Sequence, residues 1–125
     1  MLTVLVSLAG AIGALARYSA DYGIRRWRST QFPVATLAIN VTGSLALGLL
    51  TGLTIHHFAR SGTTGADAVT IAGSGFCGGY TTFSAATFES VRLVQLRCYR
   101  LATLNTLGSV VLTTVAAAVG FLLTA

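Results

Sequence analysis

Between residues 75 and 84 the chain reads Gly-Phe-Cys-Gly-Gly-Tyr-Thr-Thr-Phe-Ser, three glycines and a threonine pair set inside a long apolar stretch. Hydrocarbon offers no water to freed N–H and C=O groups, so non-helical backbone survives there only when buried in protein or lining a cavity or ion site. Carbonyls released by such an interruption are oxygen acceptors that suit a cation such as Na⁺. Elsewhere in the apolar stretches the polar residues are mostly donors. Asn40 and Ser44 lie one turn apart, and Asn105, Ser109 and Thr113 fall at i, i+4 and i+8, one polar stripe along a helix. Amide N–H, hydroxyl O–H and the electropositive edge of a phenyl ring can replace the water of a small, strongly hydrated anion. Arg17 adds positive charge. Any single Thr is better explained by interhelical hydrogen bonding, worth about 0.6 kcal/mol on average. Two asparagines, a stripe and an interrupted helix together point to a pathway.

The elements that must carry these groups are membrane helices. Of the 125 residues 54% are hydrophobic and only 9% charged, far less charge than a soluble domain carries. At about 20 residues per crossing, four spans account for roughly 80 residues and leave short loops. The spans are expected at about Leu2 to Tyr18, Val34 to Ile55, Ala66 to Arg92 and Leu101 to Thr124, the third of them broken. Residues 1–125 then form a single all-α transmembrane domain. Pro33 fits the first turn of the second span, and Gly62 to Gly65 reads as a turn before the third. The first stretch lacks a basic leading region and a small-residue cleavage pattern, so it reads as a span and not a removed signal.

All eight basic residues are arginines. The first loop carries Arg25, Arg26 and Arg28, the third Arg92, Arg97 and Arg100, and the second only Arg60. Six against one predicts that the first and third loops are cytoplasmic and both termini external. The charge of +5 is thus a topology signal with some attraction to anionic headgroups; nucleic acid is not an expected partner. His56 and His57 sit at a span end, an interfacial position. Cys77 and Cys98 are expected to be free thiols. Glu89 is expected to pair with Arg92 or Arg17. Gly10, Gly13, Gly43 and Gly48 allow close approach of helices.

These residues resemble the Fluc family of fluoride channels, also called CrcB, along nearly the whole chain. The resemblance rests on Gly10-Ala-Ile-Gly13-Ala-Leu-Ala-Arg17-Tyr18, on Asn40-Val-Thr-Gly43-Ser44 with Gly48, and above all on Gly75 to Ser84. It implies a passive, fluoride-selective channel of the cell membrane that relieves cytoplasmic fluoride toxicity, catalyses nothing, and works as an antiparallel dimer with two pores. Carried over residue by residue, Asn40 is a pore-lining donor, Phe83 presents a ring edge to fluoride, and Ser84, Ser109 and Thr113 form the polar track. Arg17 belongs near a vestibule. The carbonyls of Gly78 and Thr81 match the family's central Na⁺ site, a structural ion to which two subunits contribute the same pair.

One position departs from the pattern. The family usually has Phe-x-x-Phe, and here Ala86 stands where the second ring belongs; Phe88, about 160° away around a helix, is no obvious substitute. Either the pore tolerates Ala86, or a different partner chain supplies the ring, or one of two pores is degenerate. A homodimer of opposed subunits needs balanced arginines, so the bias here leans toward a heterodimer with an oppositely oriented paralogue. The competing class is a small proton-coupled four-helix exporter. Such a protein needs an embedded carboxylate in its first span, and residues 1–18 hold none. A purely structural membrane subunit would not need the interrupted helix.

Overall fold

In a chain this apolar, backbone polarity decides the secondary structure, because each N–H and C=O must find a partner within the chain and helices supply one locally. The computed structural model describes residues 1–27, 30–58 and 63–124. Its elements are α1 (Leu2–Trp27), α2 (Val34–Leu53), a π-helical turn (Thr54–Phe58), α3 (Thr63–Thr70), a π-helical segment (Ile71–Cys77), α4 (Gly78–Tyr80), α5 (Phe83–Gln95) and α6 (Tyr99–Leu122). No strand occurs among the described residues.

Three helices, Leu2–Trp27, Val34–His56 and Tyr99–Leu122, are long and apolar enough to cross a membrane. Large apolar side chains along α1 (Leu8, Ile12, Leu15) and α6 (Leu104, Leu107, Val111) are exposed, a liability in water and a natural surface in lipid. The second and fourth expected spans agree with α2 and α6 within a few residues. The first runs further than expected: α1 continues past Tyr18 to Trp27, so Arg25 and Arg26 sit on its last turn and not in a loop. The third expected span is divided among α3, the π-helical segment, α4 and α5. Gly65 is helical within α3 and so forms no part of a turn, while Gly62, Arg28 and Arg60 lie outside the described residues.

Glycines set the packing. The most extensive packing joins α2 and α6, where a Cβ at Gly48 would run into the backbone of Ala117 and one at Gly120 into the carbonyl of Leu45. On the other side α1 lies against the π-helical segment and α4, with Gly13 facing the Phe76 carbonyl and Tyr80 nitrogen, and Gly79 facing the Gly10 carbonyl. These contacts bear out close approach at Gly13 and Gly48. Between α5 and α6 the chain turns in a Schellman arrangement: Cys98 N–H donates to the Leu93 carbonyl (2.9 Å) and Arg97 N–H to the Val94 carbonyl (2.9 Å). Arg97 holds the left-handed conformation there, with φ 58°, where glycine is usual.

Candidate permeation site

Helical geometry stops at Tyr80. Thr81 (φ −77°, ψ 160°) and Thr82 (φ −148°, ψ 117°) are extended, and a new helix starts at Phe83. The backbone groups of Thr82 go to Asn40 on α2: Thr82 N–H donates to Asn40 Oδ1 (2.8 Å) and Asn40 Nδ2 donates to the Thr82 carbonyl (2.8 Å). One side-chain amide thus brackets one peptide residue as a neighbouring strand would. Asn40 is only 8% exposed, so this bracket satisfies groups with little access to water. Gly43, one turn on, makes room for it, since a Cβ there would meet the Thr81 methyl. Thr82 also caps α5, its Oγ1 accepting from the Ala85 N–H (3.2 Å).

Beside this interruption opens a cavity of about 580 Å³. From α2 it is lined by Asn40 and Ser44, and from α4 and the extended pair by Gly78, Thr81 and Thr82. Phe83, Ala86 and Ser90 line it from α5, and Asn105, Ser109 and Thr113 from α6. Phe83 is 86% exposed on the single chain. Ser109 Oγ is buried and has no hydrogen-bond partner within the described residues, so its hydroxyl is uncommitted beside the cavity. Thr113, by contrast, donates back to the Ser109 carbonyl (2.6 Å). Asn105, 2% exposed, donates to Ser90 Oγ (2.9 Å) and to the Ala86 carbonyl (3.3 Å), tying α6 to α5.

The structure therefore brings Asn40, Phe83, Ser109, Thr113, Gly78 and Thr81 to one cavity. It does not bring Ser84 or Arg17 to its lining. Ser84 Oγ lies 3.2 Å from Thr82 Oγ1, and Arg17 Nη1 donates to the Thr81 carbonyl at 3.4 Å. Phe88 is exposed and outside the lining, so among the described residues no ring takes the place next to Ala86. Sequence reasoning missed Ser90 and Thr106. Ser90 lies seven residues after Phe83 and four after Ala86, so it shares their helix face, a signal that was available. Thr106 Oγ1 donates to Ser90 Oγ (3.1 Å).

Glu89 corrects an expectation. It pairs neither with Arg92 nor with Arg17 but with Arg25 at 2.8 Å, and Arg25 also holds Asp21 at 2.7 Å. The pairing follows from the extra length of α1, which carries Arg25 alongside α5. Glu89 Oε2 is buried without a partner among the described residues. Cys77 and Cys98 are both free thiols. The His56 ring packs on Phe121, centroids 5.6 Å apart.

The model of CrcB-like proteins, described as camphor resistance (CrcB), matches residues 4–121. The chain belongs to the CrcB family. It is 43% identical over 120 residues to a protein of Leifsonia xyli named fluoride-specific ion channel FluC 1, covering 96% of this chain and 84% of that one. It is 38% identical over 123 residues to FluC 2 of Cutibacterium acnes (98% and 97% covered) and 39% identical over 124 residues to FluC 2 of Rhodococcus jostii (99% of each). With CrcB relatives of this kind and three spanning helices, the chain is a multi-pass membrane protein, and its family is one of ion channels and not of enzymes.

Proposed function

We propose that the chain forms a fluoride-selective channel that lets fluoride leave the cytoplasm passively and so reduces its toxicity. The observation that carries this reading is the cavity beside Thr81 and Thr82, lined by amides, hydroxyls and the Phe83 ring and by no carboxylate. On this reading the two extended residues are the interruption of a membrane helix, whose exposed backbone is tolerated because Asn40 brackets it. Fluoride that sheds water there would meet donors: the uncommitted Ser109 hydroxyl, the second N–H of Asn40, and the edge of Phe83. The names of the relatives favour fluoride over other anions. The lining holds no carboxylate, histidine or lysine to carry protons, which suits passive conduction.

A structural Na⁺, not transported, fits the carbonyls of Gly78 and Thr81. Thr82 N–H is engaged by Asn40 and does not return along the helix toward Gly78, and ψ of 160° turns Thr81 out of the helical path. Two carbonyls are too few for an ion at bilayer depth; the same pair from an opposed copy would complete the set. This supports an antiparallel dimer, in which a second chain also covers the exposed Phe83. The arginine bias favours a paralogue of opposite orientation as that partner, with the first and third loops cytoplasmic. Such a chain could supply a ring opposite Ala86.

The proton-coupled exporter is the second reading. α1 does contain a carboxylate, Asp21, because it extends beyond the expected span, but Asp21 is committed to Arg25 in an exposed pair. The test is fluoride efflux from liposomes containing the purified chain, with chloride as the control anion. Rapid fluoride-selective efflux supports the channel and shows that one chain suffices. Silence cured by adding the oppositely biased paralogue supports an obligate pair. Silence with both, or efflux that requires a proton gradient, overturns the fluoride-channel reading.

A further inference from the structure

A second cavity, of about 380 Å³, opens where the first one ends on α5. Ser90 belongs to the first lining, and its neighbour Glu89, with Arg92 one turn on, to the second. Arg25 lines this second cavity from the last turn of α1, and Pro33 from the start of α2, so it sits at the loop end of these helices. The two cavities succeed one another along α5, and an anion entering or leaving on this side passes the second. A carboxylate stands there. The Glu89 side chain is only 14% exposed; its Oε1 accepts from Arg25 Nη2 at 2.8 Å, and its Oε2 is buried with no partner among the described residues. A charge so poorly hydrated repels an approaching anion more strongly than one in bulk water does.

We propose that Arg25 is the residue that lets fluoride pass Glu89: its guanidinium neutralises the carboxylate at this mouth and so sets the rate at which fluoride crosses it. The inference rests on the fluoride channel proposed above, and the arginine bias makes this the cytoplasmic mouth. Three features of Arg25 agree with it. All its hydrogen bonds go to carboxylates and none to the carbonyls that end α1, an arrangement that balances charge and does not cap a helix. Asp21, one turn earlier on α1, holds its Nε at 2.7 Å, which fixes the direction in which Nη2 reaches toward Glu89. Arg92 shares the cavity but forms no ion pair with Glu89 among the described residues, so the direct contact falls to Arg25. With Arg25 in place Asp21 and Glu89 face two guanidiniums, those of Arg25 and Arg92; without it negative charge is in excess.

The experiment records unitary fluoride currents in planar lipid bilayers, in whichever assembly conducts fluoride. Wild type is compared with Arg25→Lys, Arg25→Gln, Glu89→Gln and the double variant Arg25→Gln/Glu89→Gln. Unitary conductance is read from single open channels and does not depend on how much protein folds. Arg25→Gln should lower it about threefold at low fluoride, and the deficit should narrow as fluoride is raised, because the unmatched charge depletes fluoride locally. The double variant and Arg25→Lys, which leave no such charge, should both stay within about 1.5-fold of wild type. Should Arg25→Gln fail to purify, Glu89→Gln alone serves: it leaves positive charge in excess and should raise conductance at low fluoride. Unchanged conductance in Arg25→Gln, a deficit that the double variant keeps, or a conductance in Glu89→Gln that is unchanged or lower overturns the role of Arg25 and leaves the channel standing. Absence of fluoride current in wild type and every variant overturns both.

Discussion

Replacing Asn40 by alanine should uncouple the extended pair from the rest of the fold. Two hydrogen bonds of 2.8 Å are lost at once, and they are the partners of the Thr82 N–H and carbonyl. Leaving a buried polar group unsatisfied costs about 1–3 kcal/mol in proteins generally, whereas hydrogen bonds between membrane helices average about 0.6 kcal/mol. Thr82 is half-buried beside a cavity large enough for water, which brings the expected cost toward the lower part of that range. For the two groups together we expect roughly 2 kcal/mol. Asn40→Asp keeps an acceptor for the Thr82 N–H and loses the donor to its carbonyl, so a second acceptor then faces that oxygen; its cost should match or exceed that of alanine if the carboxylate is charged. The assay is reversible unfolding in mixed detergent micelles, with fluoride efflux in parallel because Phe83 follows Thr82 directly. An Asn40→Ala variant that unfolds within roughly 0.5 kcal/mol of wild type and conducts normally would refute the bracket as the support of this segment.

Two further outcomes follow from the packing. Gly48→Ala puts a Cβ into the backbone of Ala117 and should part α2 from α6 at a cost of about 1–3 kcal/mol, while Gly23→Ala, which meets nothing within 4 Å, should be neutral or stabilising; melting curves of the two variants separate the cases. In a double-mutant cycle of Arg25→Gln and Glu89→Gln, the coupling should be about 0.5–1 kcal/mol and shrink with added salt, since the Arg25 side chain is 53% exposed. Arg25→Gln should be the costlier single change, because it strands a Glu89 side chain that is only 14% exposed; equal costs would argue against that asymmetry.

Hydropathy made α2 and α6 legible almost to their ends, because an apolar helix in lipid has sharp limits. It misjudged α1, whose continuation through Tyr22, Gly23 and Ile24 is helical although its polar neighbours resemble a loop. The cavity was legible where donor residues recur at helical spacing: Asn105, Ser109 and Thr113 do lie on one face, and Asn40 and Phe83 meet them. Ser84 did not follow, because adjacent helical residues point about 100° apart and Phe83 takes the cavity side. The partners of Arg17 and Glu89 were not legible. Both contacts join residues 64 apart, and only the tertiary packing of α1 against the π-helical segment and α4 brings them together. The exchange of α for π geometry over Ile71–Cys77 was equally hidden, because the same residue types are compatible with either hydrogen-bond spacing.

That π-helical segment gives the fold one place where its length can change. A π turn closes its hydrogen bond over five residues instead of four, so it holds a surplus residue relative to the α-helix around it. Loss of one residue between Ile71 and Cys77 can be absorbed by reverting to α geometry, leaving Gly78 to Phe83 facing Asn40 as before. The same loss within α2 has no such reserve: it would turn Asn40 by about 100° away from Thr82. Insertions and deletions in descendants of this sequence should therefore gather ahead of Gly78 and spare the stretch from Ala35 to Gly48.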